Sequence, residues 1–302
     1  MGANHARTVR ESSRAELQFV VDRDLVRGRA VAHQFECAAA AGLEPALTCD
    51  AVIIASSTAS HLEVALPVLE AGIPVLIEKP LAAEPEEVYQ ILEAAQRADV
   101  PVVCGFVERF NPALATAISL LDEPVTHTHA VRHSPYNPRA TSGVVSDLLI
   151  HDIDLALRLS SDSALPKVTS SHWTPEGTTT AEIVDCVLQF GSGAIANLSS
   201  SRWSQHKIRD VRIATDQSLY EIDLLRVMVT VFQHVRYWAE FGDSRSYRAQ
   251  TIVDVPFVRG GGEPLSLQLD HFLDLVDGKG DVEAERKSIF APHDVAARVE
   301  HQ

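Results

Sequence analysis

The sequence predicts an α/β fold in two parts: a parallel sheet flanked by helices, then a large and mostly antiparallel sheet. Up to about residue 106, short apolar runs alternate with helical patterns, which is typical of a parallel sheet covered by helices on both faces. From about residue 124, strand-like runs follow one another with no helical pattern between them, which indicates antiparallel pairing. We therefore expect one domain over 1–106 and a second over 107–302.

Each element follows from a local residue pattern. The β-rich runs of the first part are AELQFVVD (15–22), DAVIIAS (50–56), PVLIEKP (74–80) and PVVCGFV (101–107). Helical patterns lie between them at 60–72 and 84–98, each beginning after a polar or acidic cap and ending near Gly or Asp. The strands of the second part are VTHTHAVRH, IVDCVLQF, GAIANLSSSRW, IRDVRIATD, SLYEID and VMVTVF. Helical segments precede and follow these six runs, at 144–160 and near 264–277.

Composition excludes several classes of partner. The 302 residues carry a formal net charge of −15, which argues against nucleic acid or an anionic membrane surface as a partner. No apolar run approaches the roughly 20 residues needed to span a bilayer, and no signal-peptide pattern opens the chain. The four cysteines are scattered without a C-x-x-C pair, so we expect reduced thiols and a cytoplasmic location.

The first 22 residues have the pattern of a dinucleotide-binding, Rossmann-type unit. Gly2 opens a helical stretch, where unpaired N–H groups and the helix dipole favour a pyrophosphate. Asp22 ends the next strand, where an acid hydrogen-bonds the adenosine ribose. If Gly2 is the third glycine of G-x-G-x-x-G, the first strand lies before residue 1, so we expect a gap in the sheet and weak cofactor binding. The alternative is an ordinary helix start followed by a strand that ends in Asp.

Lysine occurs at the end of one apolar strand, in the tripeptide Glu78–Lys79–Pro80. Ligands of open α/β sheets bind at the carboxyl ends of the parallel strands, so this position favours a role for Lys79 in a site. The alternative is a surface charge at a strand end.

The segment 144–160 is apolar on most sides, which predicts a buried helix. Asp147, His151, Asp154 and Arg158 are spaced to share one stripe, whereas Asp152 lies off it. Polar groups on a buried helix must face water, a partner or a cleft, so the stripe predicts a site. The alternative is an amphipathic helix whose polar side faces solvent.

An acid-free, basic stretch precedes that helix. Between residues 124 and 142 there is no Asp or Glu, while Arg132 and Arg139 are present, and Arg109 lies shortly before. Such a stretch suits an anionic substrate such as a diphosphate, although chance clustering explains it equally well. His127, His129 and His133 share a strand face here. We favour a polar sheet face over a metal site for them, because no carboxylate or Cys accompanies them locally.

With these pieces in place, the chain resembles the Gfo/Idh/MocA oxidoreductase family over essentially its whole length. The resemblance rests on GANHAR, VVDRD, DAVIIASSTASHLEVALPVLEAGIPVLIEKPLA, GFVERFNPAL and GVVSDLLIHDID. It implies a Rossmann domain that binds NAD(P), and an α/β domain whose sheet commonly serves as an oligomer interface. Within the family, VERFNPA and the stretch before GVVSDLLIHDID are similar to sugar-nucleotide members, which include UDP-N-acetylglucosamine 3-dehydrogenases.

The resemblance also implies roles for individual residues. Lys79 would be the catalytic lysine, His151 the general acid/base and Asp147 its supporting acid. The cofactor site would comprise Gly2, Asn4, His5, Asp22, Ala55, Ser56, Thr58, His61, Glu78 and Pro80. The substrate site would comprise Arg109, Asn111, Arg132 and Arg139, with no metal.

These observations predict an NAD(P)-dependent dehydrogenase acting on a secondary alcohol of a sugar or sugar nucleotide. Asp22 would repel a 2′-phosphate, so NAD is the expected cofactor, with NADP as the alternative if Arg23 and Arg27 soften that repulsion. A non-catalytic sensor or scaffold that binds nucleotide or sugar is a second hypothesis. A metal-dependent hydrolase is a third, disfavoured by the lack of a tight ligand set.

Overall fold

Two compact units make up the chain, and a computed structural model describes residues 1–137, 142–160, 162–241, 244–258 and 260–302. The first unit comprises Met1–Phe110 with Gly262–Ala297, and the second comprises Asn111–Gly261 with Arg298–Gln302. The first boundary lies close to the expected one near residue 106. The division into 1–106 and 107–302 needs a correction, however, because the chain returns to the first unit after residue 261.

Short parallel strands and the helices between them form the first unit. Its elements are α1 (Gly2–Glu11), β1 (Phe19–Val21), α2 (Leu25–Gln34), β2 (Ala38–Ala40), β3 (Val52–Ile54), α3 (His61–Glu70), β4 (Val75–Ile77), α4 (Pro85–Ala98), β5 (Val102–Cys104), α7 (Pro264–Val276) and most of α8 (Val282–Glu300). The four β-rich runs and both helical patterns expected here are present, each strand being shorter than its apolar run. The elements α2, β2 and α8 were not anticipated.

The parallel strands form two separate sheets, β1-β2 and β3-β4-β5. The expected interruption of the parallel sheet is therefore confirmed. Leu76 of β4 and Val103 of β5 are at most 1% exposed and pack with Val9 of α1. Helix α7 contributes Leu269 and Phe272 to this same core. Burial of that apolar face is the physical reason why the chain returns to the first unit.

An eight-stranded sheet dominates the second unit. Its elements are α5 (Pro112–Ser119), β6 (His127–His133), α6 (Ile150–Leu159), β7 (Lys167–Trp173), β8 (Ile183–Gln189), β9 (Ile195–Ser201), β10 (Ile208–Ala214), β11 (Ser218–Asp223), β12 (Met228–Phe241) and β13 (Ser244–Asp254). The strand order is β13-β12-β11-β10-β6-β9-β8-β7, with β6 and β9 parallel and the other neighbours antiparallel. All six expected runs are strands of this sheet; β7 and β13 were not expected.

The sheet has one buried and one open face. Along β6, residues alternate between half-buried and buried positions, as they do along much of β8 and β9. Val184 and Leu188 of β8 are fully buried on one side, whereas Val187 is 41% exposed on the other. This alternation fixes the register, because a slip of one residue would expose the buried set.

The expected helix over 144–160 has an irregular start. Val145–Leu149 forms a π-helical turn that leads directly into α6. A π turn closes i→i+5 hydrogen bonds, so the regular α-helical spacing between Asp147 and His151 is broken. Of the expected stripe, Asp154 is buried and Arg158 is exposed, so the four residues do not share one environment.

No helix within the described residues is both long enough and apolar enough to cross a bilayer.

Candidate active site

The loops after β3 and β4 lie at the carboxyl edge of their parallel sheet, and they carry half of the expected cofactor residues. Ala55, Ser56 and Thr58 follow β3, and Glu78–Lys79–Pro80 follows β4. The start of α1 belongs to the same unit, where a Cβ built on Gly2 would lie 4.0 Å from the Cβ of Ala55. The first turn of α1 has no acidic residue, which suits an anion at the helix N-terminus.

Three buried histidines hold the loop that carries Lys79. His5 Nε2 lies 2.7 Å from Glu78 Oε1, with both residues buried. His61 Nδ1 lies 3.1 Å from the carbonyl oxygen of Pro80. His293 Nε2 accepts the N–H of Leu81 at 2.8 Å. These contacts tie the loop to α1, α3 and α8, so its position is determined by the core of the first unit.

His293 is locked in one neutral form. Its Nε2 accepts a hydrogen bond, so its Nδ1 carries the proton and donates to the carbonyl oxygen of Ile289 at 2.7 Å. Burial lowers the pKa of His293 to about 4. Sequence reasoning missed this residue, because a single His inside a helical segment carries no signal of its own.

Gly105 directly follows β5 and allows the chain there to lie close to the backbone of Lys79. A Cβ on Gly105 would lie 2.8 Å from the backbone nitrogen of Lys79 and 2.9 Å from the Cα of Glu78. Only glycine fits this close approach without displacing backbone. The end of β5 therefore packs against the Glu78–Lys79–Pro80 loop, in addition to the three histidines.

Asp22 lies at the end of β1, as expected. Arg27 binds its carboxylate with two hydrogen bonds, Nε to Oδ2 at 2.6 Å and Nη2 to Oδ1 at 2.7 Å. This guanidinium lowers the pKa of Asp22, so the carboxylate stays ionised well into the acid range. The residues of this unit thus fit a dinucleotide, with a helix N-terminus for phosphate and an ionised acid for ribose hydroxyls.

Asp147 and His151 belong to the second unit. His151 is 8% exposed at the start of α6. Asp147 Oδ2 lies 3.7 Å from Arg202 Nη1. Arg202 is itself buried and bound bidentately by Glu182, at 2.8 and 3.1 Å. Arg202 and Glu182 were not anticipated; the only sequence signal is that Arg202 lies in a stretch without acids.

Arg132 does not have the open guanidinium that an anion site requires. It forms two hydrogen bonds with Asp152, at 3.0 and 2.8 Å, and both side chains are at most 4% exposed. Asp152, expected off the functional stripe, is therefore a core residue of the second unit. A buried carboxylate needs a partner, and the adjacent strand β6 supplies the cation.

Other expected substrate residues also have structural contacts. Arg109 Nη1 contacts Glu285 at 3.2 Å and Ser288 at 2.8 Å, and its side chain is 3% exposed. Asn111 caps α5 by accepting from Ala113 N, and its amide donates to the carbonyl oxygen of Leu224. Arg139 lies outside the described residues.

Asn4 of the expected cofactor set is exposed, and its amide lies 3.8 Å from the sulfur of Met1.

The three histidines of β6 share the open sheet face, as expected. His127 contacts Asn197 and His133 contacts Ser199. Burial lowers the pKa of both His129 and His133. In the described part of the chain, no group of three or more His, Cys, Asp or Glu is arranged to hold a metal ion.

Comparison with known families assigns the chain. Residues 1–106 match the oxidoreductase family described as GFO_IDH_MocA, with an NAD-binding Rossmann fold, and residues 124–217 match the C-terminal domain of the same family. The chain belongs to the Gfo/Idh/MocA oxidoreductase family. The expected fold class, parallel strands followed by a large and mostly antiparallel sheet, is confirmed. NAD is the cofactor of this family's first domain.

Individual relatives are, by their names, dehydrogenases of a sugar nucleotide and of inositol. The chain is 28% identical over 220 residues to the UDP-N-acetylglucosamine 3-dehydrogenase of Acidithiobacillus ferrooxidans, covering 72% of this chain and 70% of that protein. A solved structure of that enzyme, GnnA, superposes with a TM-score of 0.83 and 25% identity, covering 99% of this chain and 94% of that one. Inositol 2-dehydrogenase 2 of Saccharopolyspora erythraea is 36% identical over 168 residues, covering 52% of this chain and 50% of that protein.

Proposed function

We propose that this member of the family is an NAD-dependent dehydrogenase that oxidises a secondary alcohol of a sugar nucleotide, a UDP-N-acetylhexosamine or a close relative. The observation that carries this proposal is the loop Glu78–Lys79–Pro80. It lies at the carboxyl edge of a parallel sheet in an NAD-binding domain, and buried histidines hold it in place. A fixed loop at this edge of the sheet supports a role for Lys79 at a bound ligand.

NAD would be held by residues of the first unit. The N-terminus of α1 at Gly2 would bind the pyrophosphate, and Asp22 the hydroxyls of the adenosine ribose. Ala55, Ser56 and Thr58 would line the nicotinamide side together with the loop of Lys79. NAD supplies the hydride acceptor for alcohol oxidation.

The protein itself must handle the proton that leaves the hydroxyl. His151 would accept it, because imidazole is the side chain best matched to proton transfer near neutral pH. Lys79 would donate a hydrogen bond to the same oxygen and stabilise its developing negative charge. Asp147 would orient His151, and Arg202, 3.7 Å from the Asp147 carboxylate, would fix the position of that acid.

A sugar nucleotide is supported as the substrate class by two observations. The UDP-N-acetylglucosamine 3-dehydrogenase of Acidithiobacillus ferrooxidans, which aligns with 72% of this chain, acts by its name on UDP-N-acetylglucosamine. The stretch between residues 124 and 142 contains no acid in a chain whose net charge is −15, which favours a diphosphate. Arg109 and Arg132 form structural ion pairs, so we do not include them in the substrate site.

The test is a panel of alcohols with NAD, in which NADH formation is followed by absorbance. We expect turnover of UDP-N-acetylglucosamine or another UDP-hexosamine and little turnover of inositol. Lys79→Ala provides the inactive control. Tight binding of nucleotide or sugar with no turnover of any alcohol would favour the sensor or scaffold hypothesis. Cleavage of a substrate by water without NADH formation, abolished by EDTA and restored by a divalent cation, would favour the hydrolase hypothesis.

We also propose a homo-oligomer formed through the open face of the eight-stranded sheet. Val187, Ile195 and Met228 lie on that face and are each at least 40% exposed, which is unfavourable in water. A double variant Val187→Asp/Ile195→Asp should dissociate the oligomer in light scattering, and an unchanged mass would contradict the interface.

A cytoplasmic location is supported by the four cysteines, all of them free thiols.

A further inference from the structure

Histidines line the open face of the eight-stranded sheet along its interior strand β6. His127, His129 and His133 occupy half-buried positions there, and the proposed dehydrogenase chemistry uses none of them. We propose that His129 and His133, the histidine switch, make the association of copies of this chain through the open face sensitive to pH. The oligomer holds together near neutral pH and separates in acid. This inference rests on the proposed homo-oligomer, because it names the regulation of that interface.

Strand register places the histidines among the apolar side chains of the proposed interface. Ile195 of β9 pairs directly with His127 of β6. Asn197 pairs with His129 on one side and with Val187 of β8 on the other. A second copy of the chain that covers Ile195 and Val187 therefore also covers the histidines of β6.

Aromatic side chains extend the same face at the end of β6 that carries His133. Across the sheet, His133 pairs with Ser201, Ser201 with Ile183, and Ile183 with Trp173. Trp173 and Trp203 are 44% and 46% exposed, and their ring centroids lie 5.4 Å apart. Exposed apolar patches with aromatic residues are typical of protein interfaces. Apolar groups thus occur on this face toward both ends of β6, which places the histidines inside the area that a second copy would cover.

The surroundings of His129 disfavour its charged form. Burial lowers the pKa of His129, and the positive charge of Arg212, which pairs with it from β10, acts in the same direction, as does His127. Asp185 of β8 opposes this effect and favours the charged ring. Arg212 in turn forms an ion pair with Glu221 of β11 at 3.0 Å. A protonated His129 therefore has one acid in its favour and a cation directly beside it.

His133 has similar surroundings. Burial lowers its pKa, Asp185 acts in the opposite direction, and Arg209 and His206 lower it further. Its Nε2 lies 3.0 Å from Ser199 Oγ on β9, a hydroxyl that satisfies a neutral imidazole. Both members of the histidine switch are thus neutral near pH 7 and gain a proton only in acid.

Two further acids lie on the same face, Asp210 of β10 and Asp223 of β11, and they pair with each other. Asp210 pairs on its other side with Val131, the β6 residue midway between His129 and His133. Burial and the neighbouring Asp223 raise the pKa of Asp210. The contribution of Asp210 to any pH dependence therefore needs its own control variant.

Association would couple directly to the charge of the two rings. A second copy removes the water that remains around each imidazole, which disfavours the charged form and lowers its pKa further. Separated chains then bind more protons in acid than the oligomer does, so the oligomer is favoured at high pH and is lost as the pH falls. The pKa of both rings in the separated chain lies below the usual value of about 6.5, so the loss begins below that pH. The association constant should then fall about tenfold per pH unit for each histidine that stays neutral in the oligomer.

The experiment measures the mass of the full chain by light scattering between pH 8 and pH 5.5, over a series of protein concentrations. EDTA is present throughout, so that no metal ion can bridge histidines of two copies. We expect an oligomer at pH 8, a lower mass at pH 5.5, and recovery of the oligomer on return to pH 8. Far-UV circular dichroism at pH 5.5 should match that at pH 8, because subunits separate without unfolding.

Matched variants identify the titrating groups. His129→Gln/His133→Gln keeps polar side chains that do not titrate, and should make the association constant nearly independent of pH in this range. Asp185→Asn removes the acid that favours the charged rings, and should move the separation to lower pH. His33→Gln changes an exposed histidine of α2 and should behave as wild type. Asp210→Asn should retain the pH dependence as well.

The outcomes separate the switch from the proposed oligomer. A monomeric mass of the wild-type chain at pH 8 would overturn both. An oligomer with the same association constant at pH 8 and pH 5.5 would overturn the histidine switch and leave the interface standing. A pH dependence that persists in His129→Gln/His133→Gln, or that accompanies a loss of ellipticity, would also overturn the switch. If that double variant does not assemble at pH 8, Asp185→Asn decides, and an unshifted midpoint there would count against the proposal.

Discussion

Arg132 and Asp152 form a bidentate ion pair that is almost completely withdrawn from water, with Nη2 2.8 Å from Oδ1. Removing one member leaves the other charge buried without its partner, which costs about 3–5 kcal/mol. We expect Asp152→Asn to lower the free energy of unfolding by roughly that amount in urea titrations. Asp210→Asn, which removes an exposed acid from the open sheet face, is the matched control and should have little effect. Equal stabilities of the two variants would contradict this account.

The pH dependence of stability should report on His293. Its pKa is about 4 in the folded protein and near 6.5 in the unfolded chain, so only the unfolded chain takes up a proton between these values. The contribution of the neutral imidazole is therefore complete above pH 6.5 and is lost as the pH falls toward 4. The loss should reach about 3 kcal/mol. In His293→Gln this part of the pH dependence should vanish; an identical slope in both proteins would refute the assignment.

Cofactor preference should depend on Asp22. Its carboxylate stays ionised beside Arg27 and repels a 2′-phosphate, so we expect a higher kcat/KM with NAD than with NADP. Asp22→Ala removes the repulsion and releases the Arg27 guanidinium, and should shift the ratio about tenfold or more toward NADP. Arg27→Ala keeps the acid and should keep the preference for NAD. Better activity of the wild-type protein with NADP would show that attraction of the 2′-phosphate by Arg23 and Arg27 outweighs its repulsion by Asp22.

Loss of His151 should affect chemistry and leave NAD binding nearly unchanged. We expect His151→Ala to lower kcat by roughly 10²–10⁴, the usual range for a lost acid/base group. Lys79→Ala should fall in the same range. Asp147→Asn should lower kcat in a protein of normal stability, in contrast to Asp152→Asn, whose defect should be one of folding. Wild-type turnover by His151→Ala across pH 6–9 would exclude this residue as the proton acceptor.

The close approach of Gly105 to the loop of Lys79 predicts the effect of a single methyl group. A Cβ at this position meets backbone atoms at 2.8 and 2.9 Å, so the loop must shift. Gly105→Ala should lower stability by about 1–3 kcal/mol, the usual cost of overpacking, and should lower kcat as Lys79 moves. Gly261→Ala meets nothing within 4 Å and is the control. A normal kcat in Gly105→Ala would show that the position of the Lys79 loop does not affect catalysis.

Periodicity was sufficient to predict the two-part fold, whereas the interrupted parallel sheet was predicted from Gly2 as the third glycine of G-x-G-x-x-G. In the first part of the chain apolar runs alternate with helical patterns, whereas in the second part they follow one another. This difference depends only on residues that are close in sequence, so the sequence alone reveals it. For the same reason, the sequence predicted that Lys79 lies at a strand end and that the three histidines of β6 share a face. The strands β2 and β7 escaped prediction, because β2 consists of three alanines and β7 is a polar, exposed edge strand, so that neither has a clear apolar pattern.

The partners of the charged residues were decided only by the tertiary structure. Arg132 and Arg109 read as free cations along the chain, yet each meets a carboxylate from a distant segment, Asp152 and Glu285. The return of α7 to the first unit, and the contacts of His5 and His293 with the Lys79 loop, likewise join residues far apart in sequence. Periodicity determines which face of an element is buried, whereas the identity of the group that satisfies a buried charge depends on which elements pack together.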